Sequence, residues 1–182
     1  DQPRSRGLGD VYKRQIYIFS KDILRHRRAQ KEDAVWLKKG EEYKDETLSV
    51  RAFGSTDVGV SFLLQASGKK IFHAGDLNNW HWMDESTEAE WKGAEKNFLH
   101  ELDDLYAYTP EVDVAMFPVD PRLGKEYMRG AGQFVTKIKT HIFVPMHFTP
   151  EYAKANAFRD FAEAHGVRFV SLTHRGQKIE IE

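Results

Sequence analysis

Three side chains of metal-ligand type stand where apolar runs of the sequence stop or begin: Asp57 in GSTDVG, Asp76 in FHAGDLNNWHW and His147 in FVPMHF. Sheet proteins collect functional side chains at strand ends and in the loops that follow them, because the rigid ladder positions what the loop presents. A carboxylate can bridge two cations, and a neutral imidazole suits zinc, iron or manganese, so the three residues form a chemically coherent partial metal site. Asp76 is the sharpest case. An apolar strand running into His-Ala-Gly-Asp delivers a carboxylate whose small neighbours permit close approach of backbone and ligand. Each residue also has a structural reading: an Asx-type turn for Asp57, a turn or cap ahead of Leu77-Asn78-Asn79 for Asp76, and a satisfied core or loop histidine for His147.

Other side chains flank these three. His73, Trp80, His81 and Trp82 surround Asp76 in sequence and either line a substrate pocket and orient a ligand or pack a long loop against the domain. Asp120 and Arg122 in PVDPRLG either grip an anionic substrate or close an internal ion pair. The basic run Arg25-His26-Arg27-Arg28 reads as a solvated surface rather than a nucleic-acid patch.

The elements that must position these groups fit one domain. The chain has 182 residues, 41% hydrophobic and 13% aromatic, enough for one core and not comfortably two. Charged residues make up 30% and nearly cancel to a net charge of -1, so no overall field marks a nucleic-acid or membrane-surface binder. The absence of cysteine excludes a disulfide scaffold, a thiolate zinc site and a cysteine nucleophile, and leaves any metal to His, Asp and Glu. No apolar run approaches the roughly 18 residues that span a bilayer, so a cytoplasmic protein is the expectation.

Residues 1–15 (DQPRSRGLGDVYKRQ) lack helical or strand periodicity and break abruptly into an apolar segment, so they read as a non-native or disordered leader outside the fold. Residues 16–182 follow as one domain. Strands are predicted at Ile16 to Phe19, Ala34 to Leu37, Leu48 to Phe53, Val60 to Ala66 and Lys70 to His73. A polar turn falls around Gly40 and a hairpin turn at Ser67-Gly68, which together predict an antiparallel meander. A helix is predicted from about Thr87 to Leu105, opened by a Thr87/Glu90 capping box. The second half alternates: strand Val112 to Val119, helix from about Glu126 to Lys139, strand His141 to Pro145. A helix from the N-cap Thr149 to Gly166 comes next, then strands at Val167 to Leu172 and Lys178 to Ile181. Such alternation predicts an α/β architecture with helices outside the sheets.

GSTDVGVSFLL and GKKIFHAGDLNNWHW, followed in order by DVAMFPVDPRLG and HIFVPMHF, resemble the metallo-β-lactamase superfamily in its branch of small metal-dependent hydrolases. The resemblance covers Ile16 to the C-terminus. It implies an αββα sandwich with a one- or two-metal site along one edge of the sheets, and a divalent cofactor, zinc ahead of manganese or iron. In that family a His-x-His-x-Asp-His motif supplies the first ligands, and a later histidine, a bridging aspartate and a final histidine complete the set. By resemblance Asp76 matches the bridging aspartate and His147 the final histidine, while Asp57 stands where a histidine is usual. That exchange replaces a borderline nitrogen with a hard oxygen.

The eight histidines include no pair two residues apart, so the first motif is absent from this sequence. The resemblance therefore implies a domain lacking its first strands and first metal motif. The expectation is a hydrolase that uses a metal-activated water, with Asp57 and Asp76 catalytic and a small-molecule substrate, inactive as this fragment. The alternative is a non-catalytic binding or regulatory protein that keeps the sandwich around a decayed metal site. No nucleic-acid or membrane partner is expected, and the sequence leaves the oligomeric state and the substrate open. Missing early strands would expose an apolar sheet edge, which predicts a poorly soluble or oligomeric product; a monomer melting cooperatively would contradict this.

Overall fold

A computed structural model describes residues 16–25 and 34–180. The leader read at 1–15 and most of the basic run, residues 26–28, lie outside the described residues. Two strands come first, β1 (Tyr17–Ser20) and β2 (Ala34–Leu37), paired in parallel as a two-stranded sheet. β3 (Glu42–Lys44), β4 (Leu48–Phe53), β5 (Ser61–Ala66) and β6 (Lys69–His73) form an antiparallel meander. Helix α1 (Glu88–Tyr108) then leads to β7 (Glu111–Pro118), and a 3-10 turn over Pro121–Glu126 leads to α2 (Arg129–Lys137). β8 (Lys139–Met146), α3 (Tyr152–Asn156), α4 (Arg159–Ala164) and β9 (Arg168–Phe169) complete the order. The seven strands from β3 to β9 line up in chain order in one mixed sheet, antiparallel as far as β6 and parallel from β6 to β9.

Side-chain alternation along the strands explains the layers. Phe72, Ala115, Phe117 and Phe143 point to one face and pack with Phe98, Leu102 and Leu105 of α1, Phe134 of α2 and Phe158. Their alternates Ile71, Val114, Met116, Ile142 and Val144 point to the other face and cluster with Val170, Leu172 and Ile179. Ile18, Val35 and Leu37 of the two-stranded sheet cover Val50, Ala52, Phe62 and Leu64 on that same face. A sheet apolar on both sides belongs in the middle of a layered domain. The α/β architecture is as the sequence predicts, with helices on one face and a second, two-stranded sheet on the other.

Local signals behave as their chemistry requires. Ser67 and Gly68 both take positive φ, the geometry of a two-residue hairpin turn. Thr87 and Glu90 form a reciprocal capping box, and Gly166 adopts the left-handed conformation expected at a helix end.

The structure corrects several boundaries. β1 and β2 pair with each other in parallel and both stand outside the meander, so Ala34–Leu37 does not pair with Leu48–Phe53 as expected. β3, unforeseen in EYK, forms a hairpin with β4 through the turn at residues 45–47, which sets Glu42 opposite Arg51. The helix expected from Thr149 is two short helices starting after Glu151, because Thr149 has φ 51 and donates its hydroxyl to the Phe148 carbonyl instead of capping. The strand expected at Val167 to Leu172 shrinks to two residues. Lys178 to Glu180 run without a ladder, and Ile181 lies outside the described residues.

The α1 face buries Leu102 completely against the aromatic cluster. Leu102→Ala is expected to cost about 2–5 kcal/mol of stability, read as a lower urea midpoint with an unchanged slope.

Candidate metal site

β6, β7 and β8 are adjacent and parallel, so their C-terminal ends emerge side by side, where open α/β sheets place their ligands. Asp76 follows β6, Asp120 and Arg122 follow β7, and His147 follows β8. The ladder continues past the strands as Ala74 N–H donates to the Met116 carbonyl at 2.9 Å and Val119 N–H to the Met146 carbonyl at 3.0 Å. The loop of residues 54–60 reaches the same end because β4 and β5 pair Phe53 with Ser61 while β5 and β6 pair Phe62 with His73.

His147 is the meeting point. It sits at φ 64, a left-handed conformation that an L residue adopts at some cost and that is worth reading functionally. This turn carries its ring back over the strand ends. Nδ1 lies 2.8 Å from Asp120 Oδ2 and Nε2 lies 3.3 Å from Asp76 Oδ1. Trp80 packs its ring edge-on against the imidazole at 5.3 Å and donates its indole N–H to the Asp76 carbonyl at 2.8 Å, so one side chain braces both groups. Trp82, at φ 43, stacks on Trp80.

Asp120 has no solvent exposure. Burial disfavours its charge, but hydrogen bonds from the Arg122 side chain and backbone and from His147 outweigh this and hold its pKa below the usual carboxylate value. Arg122 donates Nε at 3.0 Å to both carboxylate oxygens and Nη2 at 2.5 Å to Oδ2, and its backbone N–H reaches Oδ1 at 3.0 Å. The same bonds raise the Arg122 pKa against desolvation, and the charge of Asp57 is also felt there.

The predicted residues thus fall into groups. Asp76 and His147 come together, with Trp80 against them. Asp57 lies near enough to act on Arg122, but no group of three or more His, Asp and Glu side chains suited to one metal ion occurs among the described residues. The convergence expected of Asp57, Asp76 and His147 is therefore reduced to a pair. His73 keeps an exposed face and accepts the Gly75 N–H on Nδ1 at 3.1 Å; surrounding atoms lower its pKa, opposed by nearby Asp76. His81 is buried with both ring nitrogens engaged, Nδ1 by the Met83 N–H and Nε2 by the Glu126 carbonyl, so it serves the packing of its loop.

The pair fits one edge of a metal's coordination sphere. Tetrahedral zinc with bonds of about 2.0–2.1 Å separates two ligand atoms by about 3.3–3.4 Å, matching the 3.3 Å between Nε2 and Oδ1. Asp57, Asp76 and Asp120 against the single guanidinium of Arg122 also leave an excess of negative charge that favours a cation.

A part-buried polar network on the loop that follows Asp76 escaped sequence reasoning. Asn79 donates its amide to Gln133 at 2.9 Å and Glu95 at 3.3 Å, Arg129 donates Nε to Glu95 at 2.7 Å, and Thr56 exchanges hydrogen bonds with the Asn78 backbone. Asn78 Nδ2 and Asn79 Oδ1 are buried without a hydrogen-bond partner among the described residues. Polar residues on α1 and α2 carry no sequence mark of facing one loop, so only the fold reveals them.

The layered arrangement is shared with solved structures. Igni18, a novel metallo hydrolase from Ignicoccus hospitalis, has TM-score 0.59 at 15% identity, covering 90% of this chain and 68% of its own. A protein of Parabacteroides distasonis assigned as a metal-dependent hydrolase has TM-score 0.58 at 15% identity, covering 85% and 63%. YhfI from Bacillus subtilis, a metallo-β-lactamase fold protein, has TM-score 0.53 at 6% identity, covering 85% and 60%. The chain spans less than two thirds of the latter two structures. No protein-family profile and no curated protein matches the sequence. The chain has the metallo-β-lactamase fold.

Gly75, at φ 57, lies where a Cβ would approach the Val60 carbonyl oxygen to 2.9 Å. Gly75→Ala is expected to lose at least about 1–2 kcal/mol from the left-handed conformation alone and to lower the melting temperature. Arg129 holds the Glu95 pKa below its ordinary value, against desolvation and with help from Gln133 and Asn79. A depressed carboxylate stabilises the fold above its unfolded pKa of about 4.3, and that contribution disappears as pH falls through the folded value. Glu95→Gln should therefore lower the urea midpoint at neutral pH, with the gap to the parent narrowing in acid below about pH 4.

Proposed function

We propose that this chain is the metal-holding part of a metal-dependent hydrolase acting on a small molecule, with Asp76 and His147 as metal ligands. The observation that carries the reading is the 3.3 Å approach of His147 Nε2 to Asp76 Oδ1 at the ends of adjacent strands. A divalent cation at such a site supplies Lewis acidity and lowers the pKa of water toward about 7. Zinc leads manganese and iron, because one imidazole nitrogen and one carboxylate oxygen suit it.

The chain's own residues divide the remaining work. Asp76, with a second carboxylate oxygen beyond the His147 contact, orients a water for attack. Trp80 shields that contact on one side and fixes the loop through its indole N–H. Asp57, at the rim near Arg122, is a proton acceptor rather than a ligand. Solved structures of the same fold described as metal-dependent hydrolases support this reading. The rival is a binding protein that keeps the fold without catalysis, favoured by the lack of a third ligand among the described residues.

Metal content after zinc loading and desalting tests the assignment. Asp76→Ala and His147→Ala should each lose bound zinc, while Asp57→Ala should retain it. Undiminished metal in the first two variants would overturn the site. Zinc-dependent hydrolysis of chromogenic esters, phosphodiesters or lactones by the parent would exclude the binding protein.

A further inference from the structure

Asp120 and Arg122 admit two uses, gripping an anionic group of the substrate or acting on the protein itself. The geometry decides between them. Asp120 is wholly buried, so it cannot meet a substrate. Arg122 spends Nε and Nη2 on that carboxylate in a two-pronged pair. What this pair faces is the Nδ1 side of His147, 2.8 Å from Asp120 Oδ2.

An ionised carboxylate only accepts hydrogen bonds, so the imidazole nitrogen beside it must carry the proton. Arg122 Nη2, also 3.4 Å from Nδ1, is a donor and cannot supply that proton's partner. With Nδ1 protonated in the neutral ring, Nε2 presents a lone pair, and that lone pair lies 3.3 Å from Asp76 Oδ1. A lone pair facing a carboxylate oxygen is repulsive unless a cation lies between them, either a metal ion or, in the metal-free protein, a second proton on Nε2.

We propose that Asp120 is a positioning residue that holds His147 in the Nδ1–H tautomer, and that Arg122 acts as its lock by fixing the carboxylate in place through the two-pronged pair. This aims the basic Nε2 toward Asp76. It rests on the reading of Asp76 and His147 as metal ligands, and it goes further in assigning Arg122 to the protein rather than to the substrate. Carboxylates behind ligating imidazoles act in this way generally, by fixing the tautomer and raising ligand basicity.

Two measurements on the full chain test it. Long-range nitrogen–proton NMR of the metal-free protein, followed with rising pH until the ring is neutral, reads the tautomer of His147. The parent should show Nδ1 protonated. Asp120→Ala should release the ring toward the Nε2–H form that histidine favours in water. Asp120→Asn keeps the volume, so it guards against a misfolded alanine variant. Its amide has too few acceptor sites for the four donors now on Asp120, so the tautomer bias should weaken. Zinc titration against a chromophoric chelator should then show affinity about 10–100-fold weaker in Asp120→Ala.

A parent ring in the Nε2–H form, or variants with unaltered tautomer and zinc affinity but lower melting temperature, would overturn the proposal and leave Asp120 a purely structural residue. A parent with the expected tautomer, released in the variants, that binds no zinc would support the positioning role and defeat the metal reading. The two failures are thereby separable.

Discussion

Asp120 carries a negative charge at a position without solvent, and a buried charge persists only when partners repay its desolvation. The partners available at the end of β7 are the guanidinium two residues on and the imidazole after β8. Arg122 answers the charge with a two-pronged pair, and His147 turns into a left-handed backbone conformation to reach the other side. Once His147 is held there, its second nitrogen has one direction left, toward Asp76. The candidate site is in this sense a consequence of a single charge-satisfaction problem.

The fold makes that solution possible because three parallel strands end together. Parallel pairing of β6 with β7 and of β7 with β8 places residues distant in sequence at one edge, while α1 and α2 fill the opposite face with aromatic side chains. The Asp76 loop is then fixed from behind by Asn79, Glu95, Gln133 and Arg129 and from the side by Trp80. The helices that fill the core therefore also hold the loop that carries Asp76 at the sheet edge. Preorganisation of this kind lets a site bind a cation without first ordering its ligands.

Much of this was legible in the residues. The hairpin at Ser67-Gly68, the capping box of Thr87 and Glu90 and the glycine stop at Gly166 are local rules written in adjacent residues, and each is found. Thr149 misled because cap chemistry was read without the strained turn that starts at His147. Glu42 to Lys44 offer a single inward side chain, Tyr43, too short a run to read as a strand, so this strand depends on the partner supplied by Arg51 and its neighbours. Asp76 and His147 stood out as ligand types at strand ends, whereas Asp57 shared their sequence context but not their position beside one another.

Composition, strand-end motifs and short-range capping patterns by themselves determined an α/β chain with helices against a sheet and Asp57, Asp76 and His147 as its chemically notable residues. These are properties of neighbours along the chain, and periodicity records them. Tertiary structure alone decided that Asp120 turns inward with the exposed Arg122 paired to it, that His81 is spent on its own loop and that Asp57 stays exposed near Arg122. The reason is that hydrogen-bond satisfaction of a buried group depends on which atoms arrive beside it from distant segments, and no local pattern encodes that arrival.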